Sequence, residues 1–219
     1  MISSQKKVLI IDYKLGNLFS VHQALTNIGL NVNITSNADE IEFADAIVLP
    51  GVGAFNDAMN NLDDLKLINP IKKFIESDKP FLGICLGLQL LFSESEEFGQ
   101  SKGLGIVKGK VKRFNNFNVN GETRKVPQIG WNQIKKSVGR TWENTPLNGL
   151  KEGEFMYFVH SFYVLPEEPV SLSQTNYDGH NYVSSIQRNK LFACQFHPEK
   201  SAMEGLKIYD NWAKLNNLK

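Results

Sequence analysis

The stretch PFLGICLGLQLLF, residues 80–92, places a cysteine between two glycines where a strand-like segment meets a helix-like one. Gly83 and Gly87 flank Cys85 and permit a sharp turn with close contact between the strand and the helix. A buried structural cysteine does not need flanking glycines, whereas a nucleophile held on a tight turn does. The pattern therefore predicts a nucleophile elbow, which presents the Sγ atom of Cys85 at the carboxyl edge of a sheet.

The chain around this turn alternates between strand and helix over residues 8–95. Short runs of branched apolar residues are typical of strands buried on both faces, as in a parallel sheet. These predicted strands are KVLIIDY at 7–13, NVNIT at 31–35, ADAIVLP at 44–50 and PFLGI at 80–84. Predicted helices cover 17–29, 54–62, 67–78 and 86–95. The alternation favours a three-layer α/β fold with a mostly parallel central sheet.

After residue 99 the pattern changes to short strands separated by glycine, asparagine and proline. The predicted strands cover 103–114, 124–134, 154–166, 170–177, 181–189 and 191–199, and an amphipathic helix is predicted at 201–218. We found no repeat or linker, so we expect one domain over residues 1–219 with an antiparallel, β-rich second half.

The composition of the chain limits the kinds of molecule that it is expected to bind. Lysine and arginine total 24 against 23 acidic residues, so no strong field favours nucleic acid or an anionic membrane, and a small molecule or another protein is expected. Two cysteines in 219 residues make no disulfide scaffold, which favours a reducing, cytoplasmic location. Histidine and cysteine are too few and too scattered for a zinc set, so no metal is expected.

A thiolate nucleophile needs a base, and His197 is the best placed of the four histidines. It follows the apolar run LFACQF at 191–196, and Pro198 stiffens the segment after it. Glu199, two residues on, can point the same way and hold the imidazole in one orientation. Together with Cys85 these residues predict a Cys-His-Glu triad. Cys194 lies inside an apolar strand without a glycine turn, so we expect it in the core.

The Pro50–Gly53 segment, PGVG, closes the third predicted strand. A phosphate-binding loop and an ordinary turn are both alternatives, but the segment lacks the Walker lysine and the full dinucleotide fingerprint. An oxyanion loop fits best, with backbone N–H groups of Gly51, Val52 and Gly53 facing the nucleophile. The N–H of Leu86, at the start of the helix after Cys85, is a further candidate donor.

Together these motifs resemble the class I glutamine amidotransferases, whose triad is Cys-His-Glu. PGVG, GICLGLQLLF and FHPE occur in that family's order. IDYKLGNLFSV at 11–21, KVPQIGWN at 125–132 and YFVHSFYV at 157–164 are similar to the glutaminase subunits of imidazole glycerol phosphate synthase. The resemblance covers nearly the whole chain and implies a flavodoxin-like amidotransferase fold.

The resemblance implies roles for individual residues. Cys85 would attack the carboxamide of glutamine, His197 would transfer protons and Glu199 would orient His197. Gln89 is similar to the residue that holds glutamine in the family's GxCxGxQ motif. The strand that grips the amino-acid end of glutamine corresponds to His160, Ser161 and Phe162. No cofactor is implied.

A partner is also implied, because free ammonia is mostly protonated at neutral pH and has to reach a second active site as a nucleophile. The resemblance implies a (β/α)₈-barrel cyclase as that partner. The oxyanion loop would then reorient when the partner's ligand binds. Candidate interface residues are Trp131, Asn132, Tyr157 and Lys200.

Two departures from the family's pattern leave the ammonia acceptor open. Gln128 stands where the family usually shows histidine, and DYKLGN differs from the commoner DYGMGN. Similar paralogues supply ammonia for an acetamidino group on a sugar in surface-polysaccharide pathways. The glutaminase chemistry is the same for both acceptors.

Three other classes are weaker hypotheses. A cysteine peptidase or chaperone-like α/β protein could share the elbow, but it would not need Gln89 or the PGVG loop. A non-catalytic scaffold would not need Cys85, His197 and Glu199 together. A nucleotide-binding Rossmann module is disfavoured because no G-x-G-x-x-G opens the first helix.

Overall fold

The computed structural model describes residues 6–118 and 120–219. Residues 1–5 and 119 of the predicted domain therefore lie outside the described part. The strands are β1 (Lys7–Ile11), β2 (Asn31–Thr35), β3 (Ala46–Gly51), β4 (Phe81–Cys85), β5 (Phe92–Ser95), β6 (Ser101–Lys102), β7 (Val107–Arg113), β8 (Gln128–Lys136), β9 (Glu154–His160), β10 (Phe162–Pro166), β11 (Ser171–Tyr177), β12 (His180–Arg188) and β13 (Leu191–Cys194). The helices are α1 (Leu18–Asn27), α2 (Ala38–Ile41), α3 (Phe55–Asp64), α4 (Ile68–Glu76), α5 (Leu86–Leu90) and α6 (Ala202–Leu215), with a short 3₁₀ helix at Pro198–Lys200.

The central sheet has the order β2-β1-β3-β4-β13-β12-β10-β7-β5-β6. The first five strands of this order are parallel, which accounts for their continuous apolar sequences. From β13 to β7 each strand is antiparallel to its neighbour. Strand β11 pairs with β12 and β8, and β8 pairs with β9. The predicted α/β class, with a parallel sheet and an antiparallel second half, is confirmed.

Helices cover both faces of the parallel strands. Alternate residues of β1 point to opposite sides: Val8 and Ile10 pack with buried residues of α1 and α6, whereas Leu9 and Ile11 pack with those of α3, α4 and α5. The described residues thus form two apolar layers, one on each side of the sheet. Within the described ranges, no helix is long and apolar enough to cross a membrane.

Three sequence predictions were wrong in extent. The strand predicted at 191–199 ends at Cys194, and Pro198–Lys200 form the 3₁₀ helix because Pro198 and the residues after it leave the sheet. The helix predicted at 86–95 ends at Leu90, and β5 follows, because its backbone pairs with the distant strand β7. The strand predicted at 154–166 is broken at Ser161 into β9, which pairs with β8, and β10, which pairs with β7 and β12. The differences at 86–95 and 154–166 come from pairing partners far away in sequence, which a local apolar pattern does not specify.

The register of the parallel strands brings three carboxyl ends together. Gly51 at the end of β3 pairs with Cys85 at the end of β4. On the other side of β4, Cys194 pairs with Ile84, so Gln195 is the next residue beyond that pair. This edge is the place where ligands bind in open α/β sheets.

Candidate active site

Cys85 adopts the strained turn that the sequence predicted. Its backbone has φ 55° and ψ −107°, a conformation that residues with a Cβ rarely occupy. Such a conformation costs about 1–3 kcal/mol and persists only where the surrounding structure enforces it. Cys85 is buried at the wall of a cavity of about 290 Å³. The structure thus places a strained thiol beside a space that fits a small molecule.

Two glycines enforce this turn through close contacts. A Cβ on Gly87 would overlap the carbonyl oxygen of Leu49 in β3. A Cβ on Gly51 would overlap the hydroxyl of Tyr13 and touch Leu86. The start of α5 therefore lies directly against β3, and the end of β3 lies directly against the buried Tyr13 ring.

His197 and Glu199 form the pair that their spacing predicted. Nδ1 of His197 lies 2.7 Å from Oε1 of Glu199, and both side chains are almost completely buried. The hydroxyl of Tyr209, in α6, donates to the other carboxylate oxygen at 3.0 Å. The backbone N–H of His197 also donates to the carbonyl of Tyr157 at 2.9 Å. Both carboxylate oxygens therefore have partners, and His197 is held at its ring and at its backbone.

The surroundings of His197 favour its charged form. Burial opposes the charge, but the negative charges of Cys85 and Glu199 outweigh burial and raise the pKa of His197 to about 10. His197 and Cys85 are thus close enough to interact electrostatically. Nε2 of His197, however, has no hydrogen-bond partner among the described residues.

The sulfur instead accepts a hydrogen bond from Gln195, a residue that the sequence analysis missed. Nε2 of Gln195 donates to Sγ of Cys85 at 3.6 Å, and Gln195 is fully buried. Gln195 follows β13 directly and precedes the base by two positions. A glutamine in an otherwise apolar strand end was the available signal, because a buried amide requires partners.

The cavity beside Cys85 brings together most of the predicted site residues. Its lining includes Val52, Gly53, Cys85, Leu86, Gln89, His160, Ser161 and Phe162. Pro127, Val159 and Glu97, none of them predicted, also contribute. Gly51 lies behind this wall at the end of β3, where it pairs with Cys85.

Glu97 is the only acidic residue among the described residues that line the cavity. Oε2 of Glu97 accepts the N–H of Phe55 at 2.7 Å, at the start of α3. Burial raises the pKa of Glu97, and the hydrogen bond from Phe55 partly offsets this effect. A lone carboxylate at this position gives the cavity a site for a cationic group. Local sequence offered no signal, because Glu97 is one of three acidic residues within 94–97 and nothing local distinguishes it from the others.

Gln89 and His160 make several hydrogen bonds within the protein. Nε2 of Gln89 donates to the carbonyl of Phe162 and to Oε1 of Gln195, both at 3.1 Å. Nδ1 of His160 donates to the same Phe162 carbonyl at 2.7 Å, and its Nε2 lies 3.2 Å from the hydroxyl of Tyr182. Burial lowers the pKa of His160 to about 4, so the ring is neutral. The bond from Nδ1 to the Phe162 carbonyl fixes the His160 ring in the wall of the cavity.

Gln128, which stands where the resemblance led us to expect histidine, belongs to the same buried network. Its Oε1 accepts the hydroxyl of Tyr182 at 3.0 Å, and that hydroxyl is the group facing His160. In β8, Gln128 pairs directly with His160 of β9. The glutamine at this position therefore lies behind the cavity wall. It bonds to Tyr182, which faces His160, and makes no hydrogen bond to Cys85.

Of the predicted interface residues, Trp131 and Asn132 lie on β8, Tyr157 lies on β9 and Lys200 ends the 3₁₀ helix. Trp131 pairs with Tyr157, and their rings meet edge to face with centroids 6.2 Å apart. The ammonium of Lys200 lies 5.7 Å from the centre of the Tyr157 ring. Asn132 points to the opposite face, where it donates to the carbonyl of Asn176 at 2.8 Å. Its predicted interface role stays a prediction.

Comparison with known proteins identifies the family. Residues 9–214 match the family model for class-I glutamine amidotransferases. The chain belongs to that family. It is 50% identical over 212 residues to the imidazole glycerol phosphate synthase subunit HisH of Aquifex aeolicus, covering 95% of this chain and 96% of the relative. It is 45% identical over 210 residues to subunit HisH 1 of Legionella pneumophila strain Lens, covering 95% and 99%.

Solved structures share the amidotransferase fold. The chain aligns with the structure of PurLQS from Thermotoga maritima with a TM-score of 0.71 and 20% identity, covering 98% of this chain and 100% of that one. A glutamine amidotransferase from the same organism aligns with a TM-score of 0.61 and 16% identity, covering 90% of this chain and 77% of that one. The fold implied by the sequence resemblance is confirmed.

We predict that Gly87→Ala destabilises this amidotransferase elbow. The added methyl group would overlap the Leu49 carbonyl, which is backbone and cannot move aside, so the free energy of unfolding should fall by about 2–3 kcal/mol. Urea denaturation measures this change. Gly16→Ala is the control, because the nearest atom to its Cβ is the flexible Leu18 side chain. Equal stability of the two variants would contradict the close contact.

We also predict a pH-dependent contribution from the His197–Glu199 pair. Unfolded histidine titrates near pH 6.5, whereas the pKa of His197 is about 10 in the folded chain. The raised pKa contributes stability that is fully present below about pH 6.5 and is lost as pH rises through about 10. The Tm difference between the unaltered chain and Glu199→Gln should therefore shrink between these values.

Thermal unfolding monitored by circular dichroism measures that difference. Glu204→Gln, at the exposed start of α6, is the control and should show no such trend. A Tm difference for Glu199→Gln that stays constant from about pH 6 to about pH 10 would contradict the assigned pKa.

Proposed function

We propose that this chain hydrolyses L-glutamine to glutamate and ammonia, as the glutaminase subunit of imidazole glycerol phosphate synthase. The single observation that supports it best is the strained thiol of Cys85, set beside a cavity and electrostatically coupled to a buried His–Glu pair. The identity of about half of its residues with a named HisH subunit supports the same activity.

The geometry supports a two-step reaction through a thioester. The Cys85 thiolate attacks the carboxamide carbon of glutamine, and the carbonyl oxygen takes the negative charge. His197, as imidazolium, gives its Nε2 proton to the leaving nitrogen, and ammonia departs. Neutral His197 then takes a proton from water as the water attacks the γ-glutamyl thioester. Glutamate leaves, and the sulfur returns to its thiolate form.

Backbone N–H groups are the proposed stabilisers of the oxyanion. Gly51 ends the strand beside Cys85, Val52 and Gly53 follow it in the loop, and Leu86 begins the helix after Cys85. Donors of this kind lower the barrier where negative charge develops. Reorientation of the loop on partner binding stays part of the proposal.

The cavity wall supports glutamine as the substrate. Glutamine carries an α-ammonium and an α-carboxylate as well as the reacting carboxamide. We assign the α-ammonium to Glu97, because it is the acidic residue among those described along the cavity. The segment His160–Phe162, on the same wall, is the proposed site for the rest of the amino-acid end.

We predict that Glu97→Gln raises the KM for glutamine by about 10- to 100-fold and changes kcat far less. Loss of a charge-assisted hydrogen bond costs about 1.5–3 kcal/mol, and the interaction is present in both ground and transition states. Steady-state glutamate production measures both constants. Glu94→Gln, at an exposed ion pair with Lys110, is the matched control. An unchanged KM for Glu97→Gln would remove Glu97 from the binding site.

An apolar surface supports a partner subunit. Ile129, Trp131 and Phe155 are exposed to at least half of their reference areas, and Tyr157 lies between them. These four residues form what we call the β8–β9 ladder. Exposed aromatic clusters are typical of interfaces. We assign this ladder to the cyclase subunit, for which we propose the (β/α)₈-barrel fold.

The ladder is directly linked to the catalytic pair. The carbonyl of Tyr157 accepts the N–H of His197 at 2.9 Å, and the N–H of Tyr157 donates to Oγ of Ser201 at 3.0 Å. The same serine hydroxyl donates to the carbonyl of His197 at 2.6 Å. A partner that contacts Tyr157 therefore acts on the backbone that holds the base.

We predict slow glutamine hydrolysis by the isolated chain and a large increase with the cyclase and its ligand. Trp131→Ala should weaken cyclase binding at least about tenfold while leaving the unstimulated rate unchanged, because the indole is exposed and its aromatic contact is with the Tyr157 ring. Calorimetric titration and glutamate production measure the two quantities. Phe43→Ala, which removes another exposed aromatic ring distant in sequence from the ladder, is the control.

Cys85→Ala tests the role of the nucleophile. It should lower the unstimulated and the cyclase-stimulated rates of glutamine hydrolysis by at least about 10³-fold. An isolated chain that already works at the stimulated rate would contradict partner activation. The surface-polysaccharide acceptor, considered from the sequence, uses the same glutaminase step. It would be favoured if a sugar-modifying amidotransferase, and not the histidine-pathway cyclase, produced the stimulation.

A further inference from the structure

The buried amide of Gln195 connects the nucleophile to the cavity wall through one continuous chain of hydrogen bonds. The Phe162 carbonyl accepts Nε2 of Gln89 at 3.1 Å. The same Nε2 donates to Oε1 of Gln195 at 3.1 Å, and Nε2 of Gln195 donates to Sγ of Cys85 at 3.6 Å. Gln195 is fully buried and Gln89 is 5% exposed, so bulk solvent does not compete for these bonds.

The direction of this chain is fixed at one end. A backbone carbonyl can only accept, so Gln89 must turn its NH₂ group towards Phe162. That NH₂ group also faces Gln195, which must therefore present its carbonyl oxygen. The NH₂ group of Gln195 is then left facing the sulfur. The orientation of both amides thus follows from the fixed acceptor at Phe162.

This direction has a chemical consequence for Cys85. A sulfur atom that receives an N–H donor acts as an acceptor, and a thiolate is a better acceptor than a thiol. Among the described residues, the side-chain amide of Gln195 donates to Sγ at 3.6 Å. Gln195 therefore holds the sulfur from the side of the cavity wall, while the charge of His197 also acts on the sulfur.

We propose that Gln195 is a positioning residue that holds Sγ of Cys85 as a hydrogen-bond acceptor and thereby favours the reactive thiolate. Through Gln89, it also ties the position of the sulfur to the wall of the glutamine cavity. The benefit of this positioning for catalysis rests on the proposed glutaminase function. The hydrogen-bond chain itself does not depend on turnover, so it can be tested without it.

The first test is alkylation of Cys85 by iodoacetamide as a function of pH, followed by peptide mass spectrometry. Mapping separates Cys85 from Cys194, which is fully buried. Gln195→Glu keeps the acceptor for Gln89 but replaces the donor to sulfur with a carboxylate oxygen. Gln195→Met removes both. We expect the midpoint of alkylation to rise by about one pH unit in either variant, so that the rate at about pH 7 falls about tenfold.

Gln187→Met is the matched control, because Gln187 lies on β12 opposite Phe192 and away from the sulfur. Its alkylation midpoint should equal that of the unaltered chain. In the glutaminase assay, both Gln195 variants should lose kcat at about pH 7 and recover part of it at about pH 9. A purely structural role for Gln195 would lower the rate at every pH without moving the midpoint.

Folded Gln195 variants with an unchanged midpoint would overturn the proposal. If the variants do not fold, the side-chain amide of Gln195 in the unaltered chain decides the matter. Its ¹⁵N–¹H resonances should shift with the same midpoint as Cys85 alkylation, and resonances that do not respond would equally overturn it. If the chain lacks glutaminase activity but the midpoint moves, the proposed function fails while the role of Gln195 stands.

Discussion

The strained backbone at Cys85 is the constraint on which the rest of the site depends. A residue with a Cβ adopts this conformation only where its neighbours leave no alternative. The contact between Gly87 and the Leu49 carbonyl supplies that restriction on one side, and pairing of β4 with both β3 and β13 supplies it on the others. The two apolar layers packed on this sheet hold the strands in register, and thereby hold the thiol at the cavity.

The second half of the chain completes the site by returning to the parallel sheet. Strand β13 inserts beside β4, so the residues that follow it reach Cys85 from a distant part of the chain. Helix α6 then covers the edge and contributes Tyr209 to the carboxylate of Glu199. The base is thus oriented by side chains on one side and by the β9 backbone on the other. The same strand, β9, carries the surface that we assign to the partner.

Electrostatics divides the buried imidazoles into two roles. His160 and His197 are both buried, but burial dominates at His160 and gives it a pKa of about 4, whereas His197 faces negative charge and has a pKa of about 10. The neutral ring fixes the cavity wall, and the charged ring is the one suited to supply a proton. A single residue type therefore serves structure or chemistry according to the charges near it.

The sequence by itself determined the α/β class, the elbow around Cys85 and the His197–Glu199 pair, which depend on local spacing, on glycine at close contacts and on strand periodicity. Its resemblance to the class I amidotransferases implied Gln89 and the His160–Phe162 part of the cavity lining. Helix 86–95 and strand 154–166 were wrong in extent because non-local pairing decided their ends. Gln195 left only the weak signal of a polar residue ending an apolar strand, and Glu97 left none. Only the tertiary structure brought them to the sulfur and to the cavity, since hydrogen-bond partners and charge neighbours are set by packing between distant segments.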